Sequence, residues 1–267
     1  MDQVGPQNIF AMADVAGAKW IQSEIIPHIK TKVIILKPET SELAHLELTN
    51  ALGQNYSNFG EERFVRLTAF KWLGILRAIR QTRPEGVVFS DLDVVWLKRP
   101  EIEHHFETGE KFVYCQDDTP KNSTRKHYCT GIMFWPYSQE NVSWLEELFT
   151  IQKNLIRSGQ LTPDEPTFNS LVISDKKFAN VVKSLSNQKY VIGHRFFFSF
   201  SSKNFRKIIA YHANYVVGEQ RKNDRMRAII LRSQKDSRWL IAYTMQLIRE
   251  LSYRLVHSKY SARRKSL

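Results

Sequence analysis

The segment Val87-Val88-Phe89-Ser90-Asp91-Leu92-Asp93-Val94-Val95-Trp96-Leu97 sets two carboxylates one residue apart between two apolar runs. The run that follows Gly86 has no polar alternation, the pattern of a strand covered on both faces. Carboxylates at the end of such a strand are costly unless something compensates them. In an open α/β sheet, the carboxyl ends of strands are where ligands sit. Two acidic groups there suit a hard divalent cation, Mg²⁺ or Mn²⁺, holding a phosphate-bearing ligand. The expectation is an α/β chain that does metal-assisted chemistry on a phosphorylated substrate.

The rest of the chain reads in the same terms. Residues 8–13 and 32–36 are short strands with an amphipathic helix over 17–29 between them, a βαβ beginning. Residues 38–60 are polar and irregular. A helix over 61–81 carries Val65, Ala69, Trp72, Leu76 and Ile79 at spacings of four and three, an apolar stripe facing a core. Arg83-Pro84-Glu85-Gly86 then turns into the carboxylate strand. Further strands are expected over 111–115, 130–135 and 208–211. A helix over 138–158 has Ser138 as N-cap and Gly159 as its stop, with Trp144, Leu148, Ile151 and Leu155 on one face. Residues 159–170 should be a loop leading into a short helix, and a last helix starts near Asp236. The economical organisation is one α/β domain over 1–235 and a C-terminal amphipathic helix with a basic tail over 236–267.

At 267 residues the chain can bury one sizeable core. It carries 39 Lys+Arg against 27 Asp+Glu, a net +12 that favours phosphate-rich partners: nucleotides, nucleic acid or an anionic membrane. Cys115 and Cys129 are the two cysteines, too few for a disulfide framework or a structural zinc site. They read as reduced thiols, with a single disulfide as the alternative. The start, Met1-Asp2-Gln3-Val4, lacks a basic n-region and an apolar core, and no run approaches a bilayer span. The expected location is cytoplasmic, at or near the inner face of a membrane.

Asp91 and Asp93 admit three readings. They could be turn aspartates. They could be the nucleophile and acid of a haloacid-dehalogenase-like phosphatase, although the apolar run Val94–Leu97 and the early pair Asp117-Asp118 do not fit that class. They could hold a cation that stabilises a departing nucleoside diphosphate. The third reading gains a name from the motif. Phe89-Ser90-Asp91-Leu92-Asp93-Val94-Val95-Trp96-Leu97-Lys98-Arg99-Pro100 resembles the signature of the nucleotide-diphospho-sugar transferase family, whose fold is the single-domain GT-A type with a mixed central sheet and helices on both faces. Phe70-Lys71-Trp72 resembles its Lys-Trp helix. Thr130-Gly131-Ile132-Met133-Phe134 resembles its Asn-Thr-Gly strand, with Cys129 where Asn is usual. Asp164-Glu165-Pro166-Thr167-Phe168-Asn169 resembles its acidic Pro-x-x-Asn segment, and His212-Ala213-Asn214 through Gly218 to Lys222 its His-x-Asn…Gly…Lys element. The resemblance covers roughly residues 60–225.

The resemblance implies a metal-dependent glycosyltransferase that moves a hexose or similar sugar from a nucleotide donor, UDP being expected, to a glycan or lipid-linked oligosaccharide with retention of configuration. Asp91, Asp93 and His212 are the implied metal ligands, with Mn²⁺ first and Mg²⁺ second. Glu165, with Asp164 beside it, is the acidic group on the sugar side. Lys222 would meet the diphosphate, Gly218 would let backbone approach the phosphates, and Asp14 would lie beside the nucleoside. Asp91, Lys71 and Thr130 complete the donor-binding set. Arg66 and Lys71, five apart on one helix, point about 140° from each other, so one of them should be solvated. Trp72 reads as core. After Glu250 the chain has no acid while Arg254, Lys259, Arg263, Arg264 and Lys265 accumulate. That end of the chain suits peripheral contact with an anionic membrane. A non-catalytic basic adaptor is the remaining alternative, and nucleic acid is not expected without a recognition module.

Overall fold

The computed structural model describes residues 8–12, 18–19, 21–28, 32–36, 61–81, 85–101, 111–120, 122–193, 202–214, 219–249 and 252. Asp14, Gly218, residues 37–60, the aromatic run 196–200 and the residues beyond 252 lie outside the described residues. The chain gathers into two compact units, Met1–Ser90 with Arg99–Ser186, and Asp91–Lys98 with Asn187–Leu267.

In the first unit, β1 (Asn8–Met12) and β2 (Lys32–Leu36) pair in parallel, from Asn8↔Lys32 to Met12↔Leu36, as a βαβ beginning requires. The helix expected over 17–29 is not continuous. Ile21–Ile25 winds as a π turn and Ile26–His28 as a 3-10 turn. Pro27 has no N–H to carry an α-helical ladder onward. Helix α1 (Glu62–Gln81) buries Val65, Ala69, Trp72, Leu76 and Ile79, as their spacing demands. It carries one side of a core that also holds Trp135, Leu145, Leu148, Phe168 and Phe178.

A four-stranded sheet follows in the order β3 (Gly86–Ser90), β6 (Tyr128–Pro136), β5 (Val113–Asp117), β7 (Val182–Leu185). The first two pairings are antiparallel and the last is parallel. The dry strand of this sheet is β6, all nine residues of which are buried. Strand β3 is only half-buried throughout, because it lies at the edge of its sheet. Its apolar run is therefore not that of a fully covered strand. Gly86 opens it at φ 141°, where a Cβ would come within 2.5 Å of the Trp135 carbonyl oxygen. Only glycine tolerates both conditions.

Ser138 caps α2 (Gln139–Arg157) by accepting from the Asn141 N–H. Its apolar face turns slightly from the expected line: Val142, Leu145 and Ile156 are buried with Trp144 and Leu148, while Leu155 is half-buried. Helix α3 (Asp164–Ser174) begins at Asp164 itself, so Asp164 and Glu165 stand in a first helical turn rather than in a loop. That position favours negative charge. Helix α4 (Lys176–Val181) then leads into β7.

The second unit is built on a three-stranded sheet, β4 (Val94–Trp96), β9 (Ala210–His212), β8 (Tyr190–Ile192). Strand β4 runs antiparallel to β9, and β8 parallel to it. Helix α5 (Ser202–Phe205) precedes β9, and α6 (Glu219–Ser233) covers the sheet with Ala228 and Ile229 packed on Val191, Ile208 and Tyr211. Residues 238–249 are helical, as expected beyond Asp236. No helix among the described residues is long and apolar enough to cross a membrane.

Candidate functional site

The antiparallel register Val94↔His212 brings Asp93 to the end of β9, and the Ala213 N–H donates to the Asp93 carbonyl over 2.8 Å. Backbone pairing thus delivers two side chains 119 positions apart to one place. His212 Nε2 lies 3.1 Å from Asp93 Oδ1 and 3.8 Å from Asp91 Oδ2. One ligand atom from each of Asp91, Asp93 and His212 lies within 4.8 Å of the others. His212 is buried, and the two carboxylates are half-buried.

Helix α6 adds a cation. Lys222 Nζ donates to Asp93 Oδ2 over 2.6 Å. Its reach is set by Arg225, one turn on along the same helix face, which is buried and donates to the Gly193 carbonyl over 2.9 Å. Gly193 in turn donates its N–H to Asn214 Oδ1 over 2.8 Å. A Cβ on Gly193 would stand 1.9 Å from the Asn214 carbonyl oxygen, so this approach is open to glycine alone. Gly193 and Arg225 therefore hold the His212–Asn214 turn and α6 in register. Burial works against charge on Asp93, but the hydrogen bonds and charges of His212 and Lys222 outweigh it. The carboxyl is held well below the usual carboxylate range.

A second group belongs to the first unit. Asp164 Oδ2 accepts from Lys71 Nζ at 2.5 Å and from Thr130 Oγ1 at 2.6 Å. Lys71 also donates to the Thr130 carbonyl at 3.2 Å and lies over the Phe89 ring. Both charged side chains are more than nine-tenths buried. Arg66 is buried too and pairs with Glu62 one turn earlier, so neither Arg66 nor Lys71 is solvated as expected.

Glu165 is the more open acid of its pair. Its Oε1 lies 3.1 Å from His127 Nε2, and Asp118 contributes a third ligand-type atom within 4.8 Å. The hydrogen bond from Glu165 raises the His127 imidazole above its ordinary value, against partial burial, with the Glu165 and Asp118 charges adding to the rise. Asn169 fixes the helix that presents both acids. It accepts from the Tyr128 N–H and donates to the Tyr128 carbonyl, each over 2.8 Å, and donates to the Glu165 carbonyl over 2.9 Å. Cys115 and Cys129 are both buried and are not joined in a disulfide. Burial pushes the Cys115 thiol far above its ordinary value.

Asp91, Asp93, His212 and Lys222 thus come together in the second unit, and Lys71, Thr130, Asp164 and Glu165 in the first. His127, Asp118, Arg225 and Gly193 were not legible as site residues. A lone His between Lys126 and Tyr128 carries no periodic signal. Arg225 could have been found as the residue one helical turn beyond Lys222.

Residues 43–226 match the model of the nucleotide-diphospho-sugar transferase family. The chain belongs to that family. It is therefore a glycosyltransferase that uses nucleotide sugars, and the phosphatase reading falls away. All eight residues of the two groups lie inside the matched span. No match is found among curated protein sequences. Among solved structures, mouse xyloside xylosyltransferase 1 in its apo form is similar at a TM-score of 0.47 and 11% identity, over 78% of this chain and 84% of that one. The galactosyltransferase LgtC in complex with donor and acceptor sugar analogs gives 0.40 and 11%, over 83% and 95%. The apo form of the glycosyltransferase GlyE of Streptococcus pneumoniae TIGR4 gives 0.42 and 13%, over 91% of this chain and 63% of that one. The family match, not the structural likeness, carries the assignment.

Proposed function

We propose that this transferase takes its sugar from a UDP-linked donor, with Mn²⁺ held by Asp91, Asp93 and His212 and Mg²⁺ as the lesser choice. The observation that carries the reading is the meeting of two carboxylates and one buried imidazole from β9 and the segment before β4. Oxygen ligands suit either hard cation, and the imidazole favours Mn²⁺. A cation fits there: the Lys222 ammonium already lies against Asp93, standing for the positive charge these carboxylates require. When bound, a divalent ion would spread the negative charge that builds on the departing diphosphate.

The chain's own residues divide the remaining work. Lys222, on a helix anchored by Arg225, is the point charge for a diphosphate oxygen. Gly218 and Asp14 keep their proposed places beside the phosphates and the nucleoside. Glu165 is the acidic group on the sugar side, and its role against an oxocarbenium-like state fits retention of configuration. Asp164 holds Lys71 and Thr130 in place beside it rather than reacting. The proposed acceptor is a glycan or a lipid-linked oligosaccharide, and the proposed place of action is cytoplasmic.

Release of the nucleotide leaving group (UDP, GDP or ADP, and CMP from the CMP-linked sugar) from a panel of UDP-, GDP-, CMP- and ADP-linked sugars tests the reading, with Mn²⁺, with Mg²⁺ and with chelator. Turnover should require a divalent ion and favour one nucleotide. Asp93→Ala and His212→Ala should each abolish it with the fold intact. Full activity in chelator, or in either variant, would remove the metal role.

A further inference from the structure

Helix 238–249 is apolar on nearly every side. Trp239, Ala242 and Tyr243 pack on the cluster around Val191, Tyr211 and Ile229, and Gln246 is buried with them. At 100° per residue these four positions fill an arc of about 100°. Leu240, Ile241, Met245, Leu247 and Ile248 face away from it, between 37% and 68% exposed. They fill a second arc of about 160°. Thr244 is the one polar residue within that arc. Five of the ten large apolar side chains exposed among the described residues lie on these nine positions. A helix that buries one apolar face and exposes another, wider one is built to be covered twice.

Charge identifies the cover. Residues 227–267 hold ten Lys and Arg against two Asp and Glu, which accounts for eight of the chain's twelve net positive charges. A second copy of this chain would bring like charge onto like charge. An anionic surface with an apolar layer beneath it complements both features at once: large apolar side chains sink to the acyl boundary while Lys and Arg stay with the phosphates.

We propose that the outward face of helix 238–249, together with the positive charge that residues 227–267 carry, docks this protein on an anionic lipid bilayer. The docking surface uses no residue of the two groups described above, so it stands apart from the glycosyl-transfer reading.

Co-sedimentation of the full chain with vesicles tests it. The vesicles are phosphatidylcholine alone, or phosphatidylcholine with one-third phosphatidylglycerol. The protein should pellet with the anionic vesicles and stay in solution with the neutral ones, and added salt should release it. Ile241→Glu/Met245→Glu/Ile248→Glu, with all three positions already exposed, should weaken the partition at least about tenfold while leaving UDP–Mn²⁺ binding unchanged. Ile241→Ser/Met245→Ser should weaken it by a smaller factor and guards against a folding defect in the triple variant. Equal binding to neutral vesicles, no binding to anionic ones, or wild-type binding by the triple variant would each overturn the proposal. A dimer in sedimentation velocity that the same substitutions dissociate, without vesicle binding, would assign the face to a second copy instead.

Discussion

Replacing Asp164 by alanine should cost stability first and activity only as a consequence. The Asp164 carboxylate is the shared acceptor for Lys71 at 2.5 Å and Thr130 at 2.6 Å. The side chains of Lys71 and Asp164 retain only 8% and 7% exposure, so the ammonium cannot recover water when its partner goes. Breaking a buried pair from one side costs about 3–5 kcal/mol, because the other charge stays buried without compensation. Replacing both members by apolar groups of similar volume is often near neutral. Lys71→Met/Asp164→Leu should therefore be at least about 2 kcal/mol more stable than Asp164→Ala. Urea unfolding at constant m-value measures both. Glu165→Gln belongs in the same series and should stay within about 1 kcal/mol of wild type while losing turnover, since Glu165 is partly exposed. If Asp164→Ala unfolds at the wild-type midpoint, the network contributes nothing. If the double variant costs as much as the two single variants together, the charges are not coupled.

Two further outcomes follow from the geometry. His127 should titrate above its ordinary 6.5 because Glu165 and Asp118 favour its charged form. A raised folded-state value means that the pair's stabilisation is full below pH 6.5 and is lost as pH rises through the raised value. In NMR titration of the imidazole, Glu165→Gln should bring the midpoint back toward 6.5, and an unmoved midpoint would break the link between the two residues. Gly193→Ala should destabilise the second unit by about 1–3 kcal/mol, because its Cβ would stand 1.9 Å from the Asn214 carbonyl. It should also loosen Lys222 and His212, so a Gly193→Ala protein with unchanged metal affinity would show that the Gly193–Asn214–Arg225 bonds do not position them.

Sequence patterning disclosed most of the elements, because the signals were local. The α1 stripe at spacings of four and three is buried as read, the Ser138 cap forms, and β2 falls on the expected residues. What failed needed knowledge of neighbours. The apolar run of β3 looks like that of a doubly covered strand, but only its place in the sheet shows that it is an edge. Arg66 and Lys71 diverge around α1, yet each finds a carboxylate, Glu62 or Asp164. In the last helix Leu240 and Leu247 face outward, and Trp239 and Tyr243 take the core side. In the site, Asp91, Asp93 and His212 were legible as ligand types in a family motif. Their convergence depends on the β4–β9 register, which joins positions far apart in sequence. His127 escaped because topology alone brings Glu165 and Asp118 to it, and Arg225 because its partner Gly193 lies 32 positions away.

The central claim is that Asp91, Asp93 and His212 hold a divalent cation that brings a nucleoside diphosphate to this chain. Calorimetric titration of UDP in Mn²⁺, in Mg²⁺ and in chelator tests it most directly, with wild type and Asp93→Asn side by side. The account predicts binding to wild type in Mn²⁺, weaker binding in Mg²⁺ and none in chelator. It predicts that the Mn²⁺-dependent part disappears in Asp93→Asn, along with the stabilisation of about 2.7 kcal/mol that a ligand at a hundred times its Kd confers. Equal UDP affinity in Mn²⁺ and in chelator, or an Asp93→Asn protein that binds as wild type does, would contradict it.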